Sequence, residues 1–158
     1  MTKKEYLTNA LMKGGMKGRI YQSVKELKHA QGTQYGAVLR TRDEPVRSAS
    51  KKYFEDQEGV KKLRRKLYEC ETLYNVVIAD ATEEAAEKIL EGFLKNLEKG
   101  YYDDGNWVEV NPKETDWVDE DDCVMKSKIA VQVAVEFKYG IYRDDLAAQM
   151  PPQTDVMF

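Results

Sequence analysis

Residues 80–97 read DATEEAAEKILEGFLKNL and have the periodicity of a helix with one buried face. The apolar positions recur at spacings of three, one, three and four, and they are Ala86, Ile89, Leu90, Phe93 and Leu97. The charged positions lie off that stripe, and they are Glu84, Glu87, Lys88, Glu91 and Lys95. This pattern predicts a helix that packs its stripe against the rest of the domain.

Both ends of this helix carry the expected signals. Asp80 or Thr82 can accept hydrogen bonds from the free amides of the first turn, where Glu83 and Glu84 meet the positive end of the helix dipole. Lys99-Gly100 supplies a cation and a residue that tolerates positive φ, and this pair is expected to close the helix.

Strands able to cover the helix lie on either side of it. Upstream, one apolar and aromatic face has period two: Tyr68, Cys70, Thr72, Tyr74, Val76 and Ile78. Downstream, a second face has the same period: Met125, Ile129, Val131, Val133, Val135 and Phe137. A short strand at 107–110 precedes the second face, and the acidic residues 111–122 connect the two as a long hairpin loop. Residues 3–13 and 35–41 predict a further helix and strand, so the chain is expected to be an α+β protein with a mainly antiparallel sheet and helices on one face.

Length and charge limit the function classes. At 158 residues, the chain suits one domain, which we place at 1–145, followed by a C-terminal arm at 146–158. A net charge of −3 argues against a general polyanion-binding surface. The sequence shows neither a long apolar span nor a signal peptide, so we expect synthesis in the cytosol. Cys70 and Cys123 are expected to be reduced thiols.

Residues 42–65 are polar and offer little to bury. We expect a long loop, either functional or partly disordered, that projects from the sheet as a hairpin tip. It ends in a basic run, whose cations are Lys61, Lys62, Arg64, Arg65 and Lys66. These cations could contact phosphates, but pairing with acidic neighbours in the chain or in an adjacent subunit is the preferred interpretation.

An acidic run is the clearest candidate metal site, and its members are Glu114, Asp116, Asp119, Glu120, Asp121 and Asp122. Its spacing does not match an EF-hand loop, because Trp117-Val118 interrupts the ligands and no glycine occupies the turn. A solvated acidic turn is the better interpretation.

Other candidate chemistry is weak. His29 is the sole histidine and has no evident orienting partner, so catalysis through it is not expected. The glycines at 14–18 lack the ending of a phosphate-binding loop and predict a turn. Gly105-Asn106 predicts a tight turn before Trp107, whose indole would anchor a packing contact. We therefore expect no enzyme activity, no cofactor and no metal.

Several segments of the second half together resemble the small tail-terminator and tail-completion proteins of long-tailed bacteriophages and prophages. They are residues 82–94, the stretches GNWV at 105–108 and DWVD at 116–119, and the strand end FKYGIYRD at 137–144. The similarity spans roughly residues 65 to 145. It implies a mixed sheet with helices packed on it, in agreement with the order of elements obtained from periodicity.

The resemblance also implies a structural role in the virion. Such proteins form a six-subunit ring that caps the tail tube, stops its polymerisation and joins the tail to the head connector. The implied partners are other copies of the chain, the tail tube protein and the head–tail connector protein, with no membrane and no specific nucleic acid, although DNA could pass through the ring. Alternatives are a head-completion or neck protein, a cytosolic tail assembly chaperone, and a small metal-dependent hydrolase that uses the carboxylates of 114–122.

Ring closure brings unlike faces together, and this suggests a candidate subunit or tube interface. Its members come from the basic run, the acidic run and the loop between the first strand and the basic run: Lys61, Lys62, Arg64, Arg65, Asp119, Glu120, Asp121, Asp122, Tyr53 and Phe54.

Overall fold

The computed structural model describes residues 1–118 and 129–146. The helices are α1 (Lys3–Lys13), α2 (Val24–Leu27) and α3 (Glu83–Lys95). The strands are β1 (Arg19–Tyr21), β2 (Tyr35–Arg47), β3 (Lys51–Glu55), β4 (Lys61–Asp80), β5 (Gly100–Asp103), β6 (Asn106–Val118) and β7 (Ile129–Leu146). Of the predicted sites, Asp119, Glu120, Asp121, Asp122 and Cys123 lie outside the described residues, as does the C-terminal arm after Leu146.

All of these strands belong to one sheet. Its order is β1-β2-β4-β7-β6-β5, and β3 pairs with β4 beside the end of β2. Only the pairing of β1 with β2 is parallel among the described strands, and the others are antiparallel. The expected fold class, an α+β protein with a mixed but mainly antiparallel sheet, is therefore confirmed.

The larger core lies between one face of this sheet and the two longer helices. From α3 it takes Ala86, Ile89, Leu90 and Phe93, which are the four buried members of the predicted stripe. From β4 and β7 it takes alternate residues, as period two requires: Tyr74, Val76, Ile78, Val131, Val133, Val135 and Phe137. The helix α1 contributes Leu7, Ala10 and Leu11 to the same core.

A smaller core lies on the opposite face. Leu27 of α2 packs there with Tyr21, Tyr35, Ala37 and Val77. The segment around residues 20–29 has too little periodicity to be assigned from sequence, and the structure divides it between β1 and α2. The short helix α2 therefore covers the face that α1 and α3 leave open, and the expectation that the helices lie on one face is wrong for α2.

The start of α3 is as predicted, but its end is not. The Thr82 side chain accepts a hydrogen bond from the Ala85 amide at 3.1 Å. The prediction that Lys99-Gly100 closes the helix is wrong, because Gly100 begins β5. Asn96 ends the helix instead, and its side-chain amide donates to the Gly92 carbonyl at 2.7 Å, which satisfies a carbonyl of the last turn.

The expectation of a long loop at 42–65 also has to be corrected, because most of these residues form strands. It contains the end of β2, all of β3 and the start of β4. Pairing with β4 satisfies the backbone there, and Leu63 alone of residues 42–65 is buried. Pro45 falls within β2, whose pairing with β1 ends at Ala37, and proline is tolerated at such an edge.

Residues 111–118 belong to the other expected loop, and they instead extend β6 to Val118. The turn before β6 is present, one position earlier than predicted. Asp104 and Gly105 both have positive φ, at 51° and 81°, and join β5 to β6 as a two-residue hairpin.

Candidate functional site

The predicted interface residues that the structure describes all lie at one end of the sheet. We call this end the arm and define it as β3, residues 61–66 of β4 and residues 140–146 of β7. In the arm, Lys52 lies opposite Arg64 on β4, and Arg64 lies opposite Asp144 on β7. The three strands therefore bring together residues that are far apart in the sequence.

Arg64 is the centre of the arm. Its Nε and one terminal nitrogen donate to the two carboxylate oxygens of Asp144 at 2.8 and 2.9 Å, and its other terminal nitrogen donates to Asn106 Oδ1 at 2.9 Å. The guanidinium lies 4.9 Å from the Phe54 ring centroid and 5.8 Å from that of Tyr142. The bond from Arg64 lowers the pKa of Asp144. Through these contacts Arg64 of β4 links β3, β6 and β7.

Two other predicted cations also have acidic neighbours in the same chain. Lys62 Nζ lies 3.2 Å from Asp56, and Arg65 Nε lies 3.8 Å from Asp145. For Lys62, Arg64 and Arg65, the structure thus shows pairing within the chain. Whether these residues also meet an adjacent subunit remains a prediction.

The tip of the arm carries an exposed aromatic residue beside a surface cavity. Tyr53 is 52% exposed. Together with Phe54, Glu55 and Lys61 it lines a surface cavity of about 400 Å³. Three of the predicted interface residues, Tyr53, Phe54 and Lys61, are therefore brought to one surface, on which Glu55 lies opposite Lys61.

Sequence reasoning missed a cleft beside the arm. The β6 strand pairs with β7 only as far as Lys138, so the two strands diverge beyond it. Trp107, Gly140 and Tyr142 line the cleft, which has a volume of about 280 Å³. A Cβ at Gly140 would lie 2.6 Å from the Tyr142 ring, so the ring position requires glycine. Trp107 also packs edge-on against Tyr102, with the ring centroids 5.0 Å apart, in agreement with its predicted packing role.

A polar network lies where α1 reaches the sheet. Asp43 accepts hydrogen bonds from Arg40 and from the buried Thr72 hydroxyl, both at 2.7 Å. These two bonds, that from Arg40 foremost, lower the pKa of Asp43. The Lys3 ammonium lies 3.7 Å from the Tyr139 ring centroid, and burial lowers the pKa of Lys3. The network joins α1, β2, β4 and β7.

The candidate chemical sites are not assembled in the part of the chain that the structure describes. Glu114 and Asp116 are exposed on β6, and His29 is exposed just after α2. Among residues 1–118 and 129–146, no group of three or more histidines, cysteines or acids is placed to hold a metal ion. Within those same residues, no helix has the length and apolar character to cross a membrane.

No protein-family model matches the chain, and no curated protein matches it either. Among solved structures, the fold is similar to the sheath/tube terminator, in its extended state, of PVC, an extracellular contractile injection system, determined by cryo-electron microscopy. The TM-score is 0.50 and the identity is 14%. The likeness covers 96% of this chain and 61% of that chain, so this chain spans about three fifths of the other's length.

Proposed function

We propose that this chain is a structural protein with a tail-terminator-like role in a phage or phage-like tail. The observation that carries the proposal is the likeness of fold, over 96% of this chain, to a sheath/tube terminator. The resemblance of residues 65–145 to phage tail-terminator proteins points the same way and rests on different evidence, since it depends on short sequence motifs. A fold by itself hosts many functions, so the role requires its own test.

In this role the chain forms a ring, of six subunits by the family resemblance, that sits on the end of the tail tube and stops its growth. Its partners are other copies of itself, the tube protein and a head–tail connector protein. The function is binding, through subunit and tube contacts, and it requires no enzyme activity or cofactor.

The arm is the proposed contact surface. Arg64 is already held by Asp144, so reversing its charge would disturb the arm itself as well as any neighbour. Lys61 is exposed at the tip, next to Tyr53 and Phe54. A neighbouring subunit's acidic residues Asp119, Glu120, Asp121 and Asp122 are the proposed counterpart of this tip.

The test is the mass of the purified protein by light scattering, combined with class averages from negative-stain electron microscopy. A closed ring near six subunits is expected for the wild type, and Lys61→Glu should weaken it. Lys88→Glu, on the exposed side of α3, makes the same charge change away from the arm and should leave the ring intact. A protein that forms no ring, either free or with tubes, and binds filled heads instead would favour a head-completion role.

A further inference from the structure

The end of β7 forms an open edge of the sheet. β4 pairs with β7 as far as Leu146, whereas β6 leaves β7 after Lys138. Along residues 140–146, no strand in the described part of the chain pairs with the side of β7 away from β4, and β6 lies across the cleft from Gly140 and Tyr142. Unpaired N–H and C=O groups on such an edge can receive a further strand.

The side chains on this edge are arranged so that two antiparallel copies of it are complementary to each other. Tyr142, Arg143, Asp144, Asp145 and Leu146 alternate between the two faces of the sheet, as the residues of a strand do. Asp144 lies between the cation Arg143 and the anion Asp145. These are flanked in turn by the aromatic Tyr142 and the aliphatic Leu146. Two antiparallel copies of this stretch would therefore match opposite charges and apolar groups.

We propose that this edge pairs with the same edge of a second copy of the chain, antiparallel, with Asp144 opposite Asp144. In this register Arg143 of each copy lies opposite Asp145 of the other, and Tyr142 lies opposite Leu146. Each pair occurs twice because the contact has twofold symmetry. Directly opposite side chains in an antiparallel pair are close enough to interact.

The side chains are available for this contact. The Arg143 side chain is 59% exposed, and Leu146 is 40% exposed. Arg143 lies 3.4 Å from Asp145 in its own chain, on the same face, so in the proposed contact each residue exchanges this partner for the same residue type of the second copy. The two central Asp144 carboxylates are like charges, but each is held by two hydrogen bonds from Arg64, which offsets their repulsion.

Neighbouring registers fit less well. Shifting the centre by one residue places it on Arg143 or on Asp145. Centring on Arg143 places two guanidinium groups opposite each other. Centring on Asp145 leaves only residues 144–146 paired among the described part of β7. Charges on an edge often keep sheets apart, but here their signs are ordered so that two copies attract.

This contact goes beyond the proposed function, because a ring joins unlike surfaces whereas this edge joins like surfaces. It would double whatever assembly the rest of the chain forms: two monomers into a dimer, or two rings into a pair of rings. The two ideas can therefore fail separately.

Charge reversal tests the contact. Arg143→Asp and Asp145→Arg each place like charges opposite each other twice. Each variant should halve the mass measured by light scattering and weaken the contact by about tenfold or more. Mixed in equal amounts, the two variants should recover the wild-type mass, because positions 143 and 145 then carry opposite charges across the contact in both pairs. The matched controls Lys88→Asp and Glu87→Arg, on the exposed side of α3, should leave the mass unchanged.

Circular dichroism melting should first show that both variants are folded. A wild type whose mass does not exceed that of either variant would overturn the proposal, as would a mixture that stays at half mass. A ring that does not double would refute this contact and leave the proposed function standing. A doubled mass without any ring would support this contact and count against the proposed function.

Discussion

At the scale of single residues, the closest approach between α1 and α3 depends on two glycines. A Cβ added at Gly92 would lie 2.9 Å from Gly14 Cα and closer still to the Gly14 carbonyl. These neighbours are backbone atoms, so they cannot rotate away. Alanine at position 92 would favour the helix by roughly 1 kcal/mol, but overpacking costs about 1–3 kcal/mol. We predict that Gly92→Ala lowers the free energy of unfolding, measured by urea denaturation.

The control for this change is Glu91→Ala, on the exposed side of the same helix. It should shift the free energy of unfolding by no more than about 0.5 kcal/mol. A Gly92→Ala protein more stable than the wild type would show that helix propensity outweighs the close approach, and would contradict this account of the contact.

The interactions of Asp43 should make the stability of the fold depend on pH. Its pKa is lowered in the folded state by Arg40 and Thr72, so the stabilisation is present above the pKa of the unfolded chain and is lost as the pH falls through the lower, folded value. The Asp43 side chain is 45% exposed, so we expect only about 0.5–1 kcal/mol. Asp43→Asn should be less stable than the wild type at pH 7, and the difference should shrink progressively below about pH 4. A difference that is constant from about pH 7 to about pH 3 in urea unfolding would count against the ion pair.

At the scale of elements, the contribution of the N-terminal cap to the stability of α3 can be tested by substituting Thr82. Thr82→Ala removes the acceptor for the Ala85 amide and should cost about 1 kcal/mol, which is roughly 2–4 °C in melting temperature for a chain of this length. Thr82→Ser keeps the hydroxyl and should remain close to the wild type. Equal melting temperatures for the alanine and serine variants in differential scanning calorimetry would show that the cap contributes nothing.

The elements also show what the sequence could and could not predict. The helix α3 and the inner halves of β4 and β7 bury one face, so their periodicity identifies them. The strands of the arm are mostly polar and bury only single residues such as Leu63, so they have no such period. Their formation depends on pairing between distant segments, such as Lys52 with Arg64 and Arg64 with Asp144, and no local pattern encodes that pairing.

At the scale of the whole molecule, the same limit applies to the candidate site. The basic run is visible in the sequence, but the partners of Arg64 lie 42 residues away at Asn106 and 80 residues away at Asp144. Charge balance alone favours ion pairing within the chain or with a neighbour, and the structure shows which acids of the chain supply it. The open edge at the end of β7 could not be predicted, because an edge is defined only once the order of the strands is known.

In the proposed function, this protein sits at the end of a tail. The most direct measurement is immunogold electron microscopy, with an antibody to this chain, on tail particles purified from the cells that produce it. We predict label at a single end of each tube. Label along the whole tube, or a protein absent from the particles and present only in the cell lysate, would contradict the proposed function.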